Sequence, residues 1–169
     1  MKAAVLKKLG MPVVIEEVPR PEVKENDVLM KVKASGVCIS DMYTIRGQRP
    51  IELPHIMGHE AAGVVAEVGR RVRGFKAGDR ILGNAIVTCN ECYYCRNDLE
   101  QVCERHVIVG TDGGTQGAFA EYYKLPQENA YHLPVEIPFD QATVITSPLA
   151  SAYHGVRRAE IQKGDTVVV

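Results

Sequence analysis

An excess of charge of one sign is the first thing this chain lacks. Its 20 basic and 21 acidic side chains leave a formal net charge of −1, so no electrostatic footprint points to nucleic acid or to an anionic membrane surface. No run of roughly eighteen apolar residues occurs, which excludes a membrane-spanning helix. Met1 to Gly10 reads as a short strand bearing lysines rather than as a signal peptide. Internal repeats and low-complexity stretches are absent. What remains is a composition of 46% apolar and 24% charged residues over 169 positions, that of a globular unit that builds a core. The length suits one domain, with at most an appended piece.

Cysteine is scarce, five in all, yet four of the five are Cys89, Cys92, Cys95 and Cys103. The spacing C-x2-C-x2-C-x7-C brings four soft thiolates within reach of one ion, the closed tetrahedral shell of a structural Zn²⁺. The surrounding lobe, 88–107, is filled with Asn90, Glu91, Arg96, Asn97, Asp98, Glu100, Gln101, Glu104 and Arg105. It has too few apolar residues to hold a shape by burial, so metal binding has to supply that folding free energy. The competing readings are a disulfide pair or four buried thiols, and the polar filling between close cysteine pairs favours the metal. Free thiols kept for metal predict a reducing, cytoplasmic setting. A zinc ribbon that binds nucleic acid shares the paired cysteines but not the neutral charge.

The fifth cysteine, Cys38, lies in Val-Cys-Ile-Ser-Asp (37–41), and His59 lies in Gly-His-Glu-Ala-Ala-Gly (58–63). A thiolate and an imidazole brought together by the fold suit zinc, and fewer than four protein ligands leave it open for catalysis. Each residue alone has an ordinary reading, a small buried hydrophobe for Cys38 and a hydrogen-bonded core residue for His59.

Taken together these segments resemble the N-terminal, GroES-like catalytic domain of the zinc-dependent medium-chain alcohol dehydrogenases. The resemblance runs from Met1 to Val169. It is carried by V-C-I-S-D, G-H-E-A-A-G-V-V-A-E-V-G (58–69), F-K-A-G-D-R-I (75–81), the cysteine lobe, G-A-F-A-E-Y (117–122) and S-P-L-A-S-A-Y-H-G (147–155). It implies reversible oxidation of a small-molecule alcohol to an aldehyde or ketone with NAD or NADP, assisted by an open zinc as Lewis acid. By resemblance Cys38 and His59 are zinc ligands and Ser40 receives the substrate proton. Asp41 fixes the His59 tautomer, and Glu60 lies behind the metal, able to approach it. Helix capping is the plainer role for Ser40 and Asp41, and it is compatible with the catalytic one.

Two departures stand out. Aligned on S-P-L-A-S-A-Y-H-G, the position of the family's third zinc ligand is Ser147, and a neutral hydroxyl is a poor zinc ligand. Three arrangements are open: Glu60 as third ligand, weak binding through Cys38 and His59, or no catalytic zinc. Tyr43 stands where some members carry a proton-relaying histidine, and a phenol of pKa about 10 is a poor shuttle at neutral pH.

The rest of the chain reads as short strands, Val13–Val18, Val28–Val37, Gly63–Val68 and Arg80–Val87. Pro19-Arg20-Pro21, Gly74, Gly78-Asp79 and Gly113-Gly114 punctuate them. This predicts a mainly β fold with short helices, a GroES-like, partly open β-barrel with large loops. Helices are expected at Ile39–Ile45, Asp140–Ile145 and Pro148–Ala159. Residues 1–160 read as the catalytic domain and 161–169 as the first strand of a Rossmann domain whose Gly-rich turn does not follow. The expectations that follow are no activity and no tight NAD(P) binding for this chain alone, and self-association, as a homo-oligomer or as aggregates, through the Thr166–Val169 edge. A zinc-stabilised, non-catalytic binding or structural module is the alternative. His55 is expected on a surface loop, and His132 and His154 in packing roles. Tyr93 and Tyr94 are expected to cover the lobe, and Tyr122, Tyr123 and Tyr131 to pack the barrel. Arg70, Arg71 and Arg73 read as solvated, and His106 as no metal ligand.

Overall fold

β-branched and small residues at alternating positions set the framework, because they fit a pleated surface buried on one or both faces. In the computed structural model, which describes residues 1–112 and 115–168, the chain opens with strands β1 (Lys2–Leu6), β2 (Val14–Glu17) and β3 (Asp27–Gly36). Helix α1 (Ile39–Ile45) precedes β4 (His55–Ile56), β5 (Glu60–Val68), β6 (Arg80–Asn84) and β7 (Ile86–Val87). After the cysteine lobe come β8 (Val107–Ile108), β9 (Tyr122–Pro126) and β10 (Ala130–His132), then α2 (Phe139–Val144) and α3 (Ala150–Ala159). A wide helical turn, Ile145–Leu149, joins the last two and accommodates Pro148.

The main sheet has five strands in the order β10-β6-β5-β3-β9, every neighbouring pair antiparallel. Register shifts at Leu29/Met30 and Val32/Ala34 bend β3 against β5 and curl the sheet. A smaller sheet, β2-β1-β4, is stitched to it by 117–121. There Ala4 N–H donates to the Phe119 carbonyl (2.8 Å), Glu121 N–H donates to the Lys2 carbonyl (3.0 Å), and Ala3 bridges Ala120. The outcome is the partly open barrel of the expected class.

β5 is central and buried on both sides. One face packs Val28, Met30, Ala61, Val65, Ile81, Tyr123 and Leu125. The other packs Ala62 and Leu82 under Ala142 of α2, with Leu133, Ile137 and Phe139 around them. The Arg80 guanidinium lies 4.0 Å over the Phe139 ring and donates to the Ile137 carbonyl at 2.5 Å, fixing the entry to α2. By contrast α3 is exposed along its whole length, with Tyr153 and Val156 among its uncovered apolar residues.

Several expectations are corrected. The run Arg80–Val87 is broken at Ala85, because the Asn129 amide donates to the Asn84 and Ile86 carbonyls (2.9 and 2.8 Å) and turns the chain into β7. His55 is not on a surface loop but fully buried in β4, its Nε2 3.2 Å from the Gly110 carbonyl. Tyr131 is 52% exposed, since β10 is an edge strand, while Tyr123 is buried and Tyr122 lies under the Arg20 guanidinium at 4.4 Å. Arg70 and Arg71 are exposed, yet both pair with Glu25. His132 stacks on Phe75 at 4.6 Å, as packing requires. The Gly113-Gly114 turn lies outside the described residues, as does Val169. Thr166 to Val168 take no regular structure.

Candidate metal centres

β7 and β8 pair antiparallel, Ile86 opposite Ile108 and Val87 opposite Val107, and form the stem of the cysteine lobe. Beyond the stem only two short 3-10 turns form, Cys95–Asn97 and Glu100–Val102. The four sulfurs nevertheless converge. Cys92–Cys95 and Cys89–Cys103 are 3.5 Å apart, Cys89–Cys95 3.9 Å and Cys92–Cys103 4.0 Å. A tetrahedron with metal–sulfur bonds of about 2.3 Å has edges of about 3.8 Å, so the set fits one zinc ion, and none of the four is in a disulfide.

Backbone N–H groups turn inward to support negative sulfur. Cys92 N–H donates to Cys89 Sγ (3.3 Å), and Cys89 and Arg105 N–H donate to Cys103 Sγ (3.4 Å each). The Glu91 N–H above all, then the Cys92 N–H and the Cys103 and Cys92 thiols, outweigh burial and lower Cys89 to about 6. Burial, followed by the neighbouring sulfurs, pushes Cys95 up to about 12. Four sulfurs this close cannot all ionise without a cation among them. His106 turns away, its Nδ1 2.9 Å from the Cys103 carbonyl, and Tyr93 and Tyr94 stack edge-on at 5.6 Å, with Tyr93 71% exposed.

The second cluster is built by α1 and the start of β5. Cys38 is the N-cap of α1, so its side chain is presented where the helix begins. One Asp41 oxygen accepts the Cys38 N–H (2.9 Å), and the other faces His59 Nδ1 at 3.7 Å. Asp41 thus closes the first helical turn and orients an imidazole in one arrangement. The positive φ of Gly58 (98°) turns the chain so that His59 points inward. His59 Nε2 lies 3.9 Å from Glu60 Oε1. Glu60 itself folds over Gly36, opposite it in the β3–β5 register, in space that any Cβ at Gly36 would fill.

One ligand atom from each of Cys38, His59 and Glu60 falls within 4.8 Å of the others. The pKa shifts suit a ligand set. Burial opposes ionisation of Cys38, but the Ser40 hydroxyl and N–H and the His59 ring outweigh it and hold the thiol below its ordinary value. Burial likewise disfavours a charged His59, and Asp41 and Cys38 reverse this and raise it. Asp41 Oδ1 and His59 Nδ1 are buried without a hydrogen-bond partner among the described residues, and buried Ser40 Oγ has no neighbour of that kind but the Cys38 sulfur. Such a strongly polar and unsatisfied set fits a cation.

These residues floor a cavity of about 680 Å³ whose lining includes Cys38, Ser40, Tyr43, His59 and Ser147. The wide turn between α2 and α3 carries Ser147 to that wall, half-buried. Asp41 and Glu60 sit behind the floor rather than in the lining. Sequence reasoning missed Arg49, which lines the cavity, and gave His154 a packing role, although it is exposed on the cavity wall. Arg49 belongs to no motif, and its one signal was a cation placed between the end of α1 and Pro50. A second cavity, about 740 Å³ and lined by Val5, Val18, Ile56 and Leu125, holds none of the candidate ligands.

The sequence pattern of the alcohol dehydrogenase GroES-like domain matches residues 24–135. The sorbitol dehydrogenase of Halalkalibacterium halodurans is 36% identical over 156 residues, 92% of this chain and 45% of that protein. The L-threonine 3-dehydrogenase of Vibrio parahaemolyticus is 35% identical, over 90% of this chain and 45% of that protein. In three dimensions the chain is similar to an NAD-dependent alcohol dehydrogenase, with a TM-score of 0.92 at 29% identity, covering 98% of this chain and 49% of the other. The chain therefore spans about half the length of the curated relatives it matches. The matched pattern covers most of the chain, and by it the chain belongs to the alcohol dehydrogenase GroES-like domain family of the medium-chain dehydrogenases.

Proposed function

We propose that this chain is the metal- and substrate-holding part of a zinc-dependent, NAD(P)-linked alcohol dehydrogenase that interconverts an alcohol with an aldehyde or ketone. One observation carries the reading: Cys38, His59 and Glu60 offer three ligand atoms within 4.8 Å, with Cys38 and His59 lining a cavity large enough for a small substrate and Glu60 behind them. In this proposal residues 1–160 form the catalytic unit and 161–169 lead toward a nicotinamide-binding half. The half-length match to sorbitol and threonine dehydrogenases supports that division.

Zinc bound there supplies Lewis acidity toward a substrate hydroxyl. Cys38 and His59 hold the ion, and Glu60 completes the set where Ser147 offers only a neutral hydroxyl. Asp41, whose carboxylate faces His59 Nδ1 at 3.7 Å, would favour the tautomer that leaves Nε2 for a metal. Ser40, whose Oγ is buried and which lines the cavity floor, would take the substrate hydroxyl proton as it passes its own on toward solvent. Tyr43 is 40% exposed at the cavity wall and provides a hydrogen bond toward solvent. The cysteine lobe holds a second, structural zinc.

Ser147 favours one other reading, a zinc-stabilised module without redox chemistry. Zinc per chain, measured by elemental analysis beside a Cys38→Ala variant, separates the two. Two zinc ions falling to one in the variant support the dehydrogenase. One zinc, unchanged by the variant, overturns it.

A further inference from the structure

We propose that the alcohol taken by this site carries an anionic group, a carboxylate or a phosphate, and that Arg49 binds it. The inference rests on the dehydrogenase reading for the hydroxyl end of the substrate and on independent geometry for the other end.

Arg49 is half-buried and lines the same cavity as Cys38, Ser40 and His59. No aspartate or glutamate is among the lining residues. Among the described residues no carboxylate comes within ion-pair distance of its guanidinium, and none accepts a hydrogen bond from it. A guanidinium with five N–H donors is thereby left without a carboxylate partner on a residue that lines the same recess as Cys38 and His59. Burying a cation in part without a partner costs free energy unless a ligand completes it.

The placement of Arg49 is fixed rather than incidental. Helix α1 ends in a left-handed cap: Gly47 has φ 73°, Gly47 N–H donates to the Thr44 carbonyl (3.0 Å) and Gln48 N–H to the Tyr43 carbonyl (2.9 Å). The helix that starts with Cys38 thus ends by delivering Arg49, followed by Pro50, to the same cavity. The remaining polar lining extends the preference. His154 adds a second basic side chain, and Gln101 and Ser151 add hydrogen-bond donors, whereas the Thr146 hydroxyl is already donated to the Thr143 carbonyl (2.8 Å). A neutral aliphatic alcohol has no use for an unpaired guanidinium in its cavity, whereas an oxyanion does. Carboxylate and phosphate both accept a bidentate guanidinium.

The test is calorimetric titration of the zinc-loaded chain with three ligands of matched length: 4-hydroxybutyrate, 4-hydroxybutyl phosphate and the neutral 1,4-butanediol. At least one anion should bind about tenfold to a hundredfold tighter than the diol. Arg49→Ala should erase that ratio while leaving the diol unchanged, and Arg49→Lys should restore part of it. The stronger anion identifies carboxylate or phosphate as the source. Equal binding of all three ligands overturns the proposal, as does a ratio that survives in Arg49→Ala with an unchanged thermal melt, or no anion binding at millimolar concentration. Cys38→Ala separates this from the underlying reading. Loss of one zinc without an anion preference sinks only the Arg49 assignment. An intact preference in a chain whose zinc content ignores Cys38 sinks only the dehydrogenase.

Discussion

Asp41 shows how much one side chain decides here. A single carboxylate caps α1 through the Cys38 N–H and faces His59 Nδ1, so the helix start and the imidazole are positioned by the same group. Asp41→Asn keeps an acceptor for the cap but gives up the charge beside the ring. The zinc affinity of the Cys38–His59 site should then fall about ten- to a hundredfold, read by chelator competition, with the lobe zinc retained. His55 gives a pH prediction. Burial holds its imidazole below the ordinary value, with the Gly110 carbonyl opposing. The folded protein therefore resists the proton that the unfolded chain accepts. Stability should be full above about pH 6.5 and fall as the pH drops toward the depressed folded value, by at most about 1.4 kcal/mol per pH unit. Urea unfolding across that window should show the slope, and His55→Gln should flatten it.

At the scale of elements, the lobe and the sheet are held by different physics. The lobe has a two-strand stem and two 3-10 turns, with its sulfurs converging where a core would otherwise sit. Chelation, or Cys95→Ser, should abolish amide-exchange protection across 88–107 and leave β3, β5 and β6 protected. Protection retained in the lobe without metal would contradict this. The β3–β5 pair carries a steric prediction. A methyl at Gly36 would occupy the space of the Glu60 carboxylate, so Gly36→Ala should cost about 1–3 kcal/mol and weaken zinc at the Cys38 site without touching the lobe. Apart from β4 and β8 to β10, which no such run marked out, the strands and helices were legible from β-branched runs and Gly/Pro punctuation to within a few residues, α1 to the residue. The break at Ala85 was not, because it depends on Asn129, a residue more than forty positions away in sequence.

For the molecule as a whole, every strand pair among the described residues is antiparallel. A dinucleotide site of the doubly wound kind needs parallel strands, a crossover helix and a phosphate-binding turn between them. Residues 1–169 alone should accordingly bind NAD or NADP no tighter than millimolar, and a micromolar dissociation constant by calorimetry would refute that. Among the described residues no helix is long and apolar enough to cross a membrane.

What the sequence determined by itself was whatever depends on local spacing. The four cysteines, the V-C-I-S-D and G-H-E segments and the turn residues carry their meaning within a few positions, and with them came the family, the barrel and the candidate ligands. The tertiary structure decided what spacing cannot encode. It buried His55, folded Glu60 over Gly36, and brought Ser147 and His154 from the α2–α3 region to the wall above Cys38. It also gave Arg49 a place in that cavity through the capped end of α1. Convergence of residues a hundred positions apart is a property of strand register and helix packing. Those are set by the summed burial of many side chains, and no short motif records them.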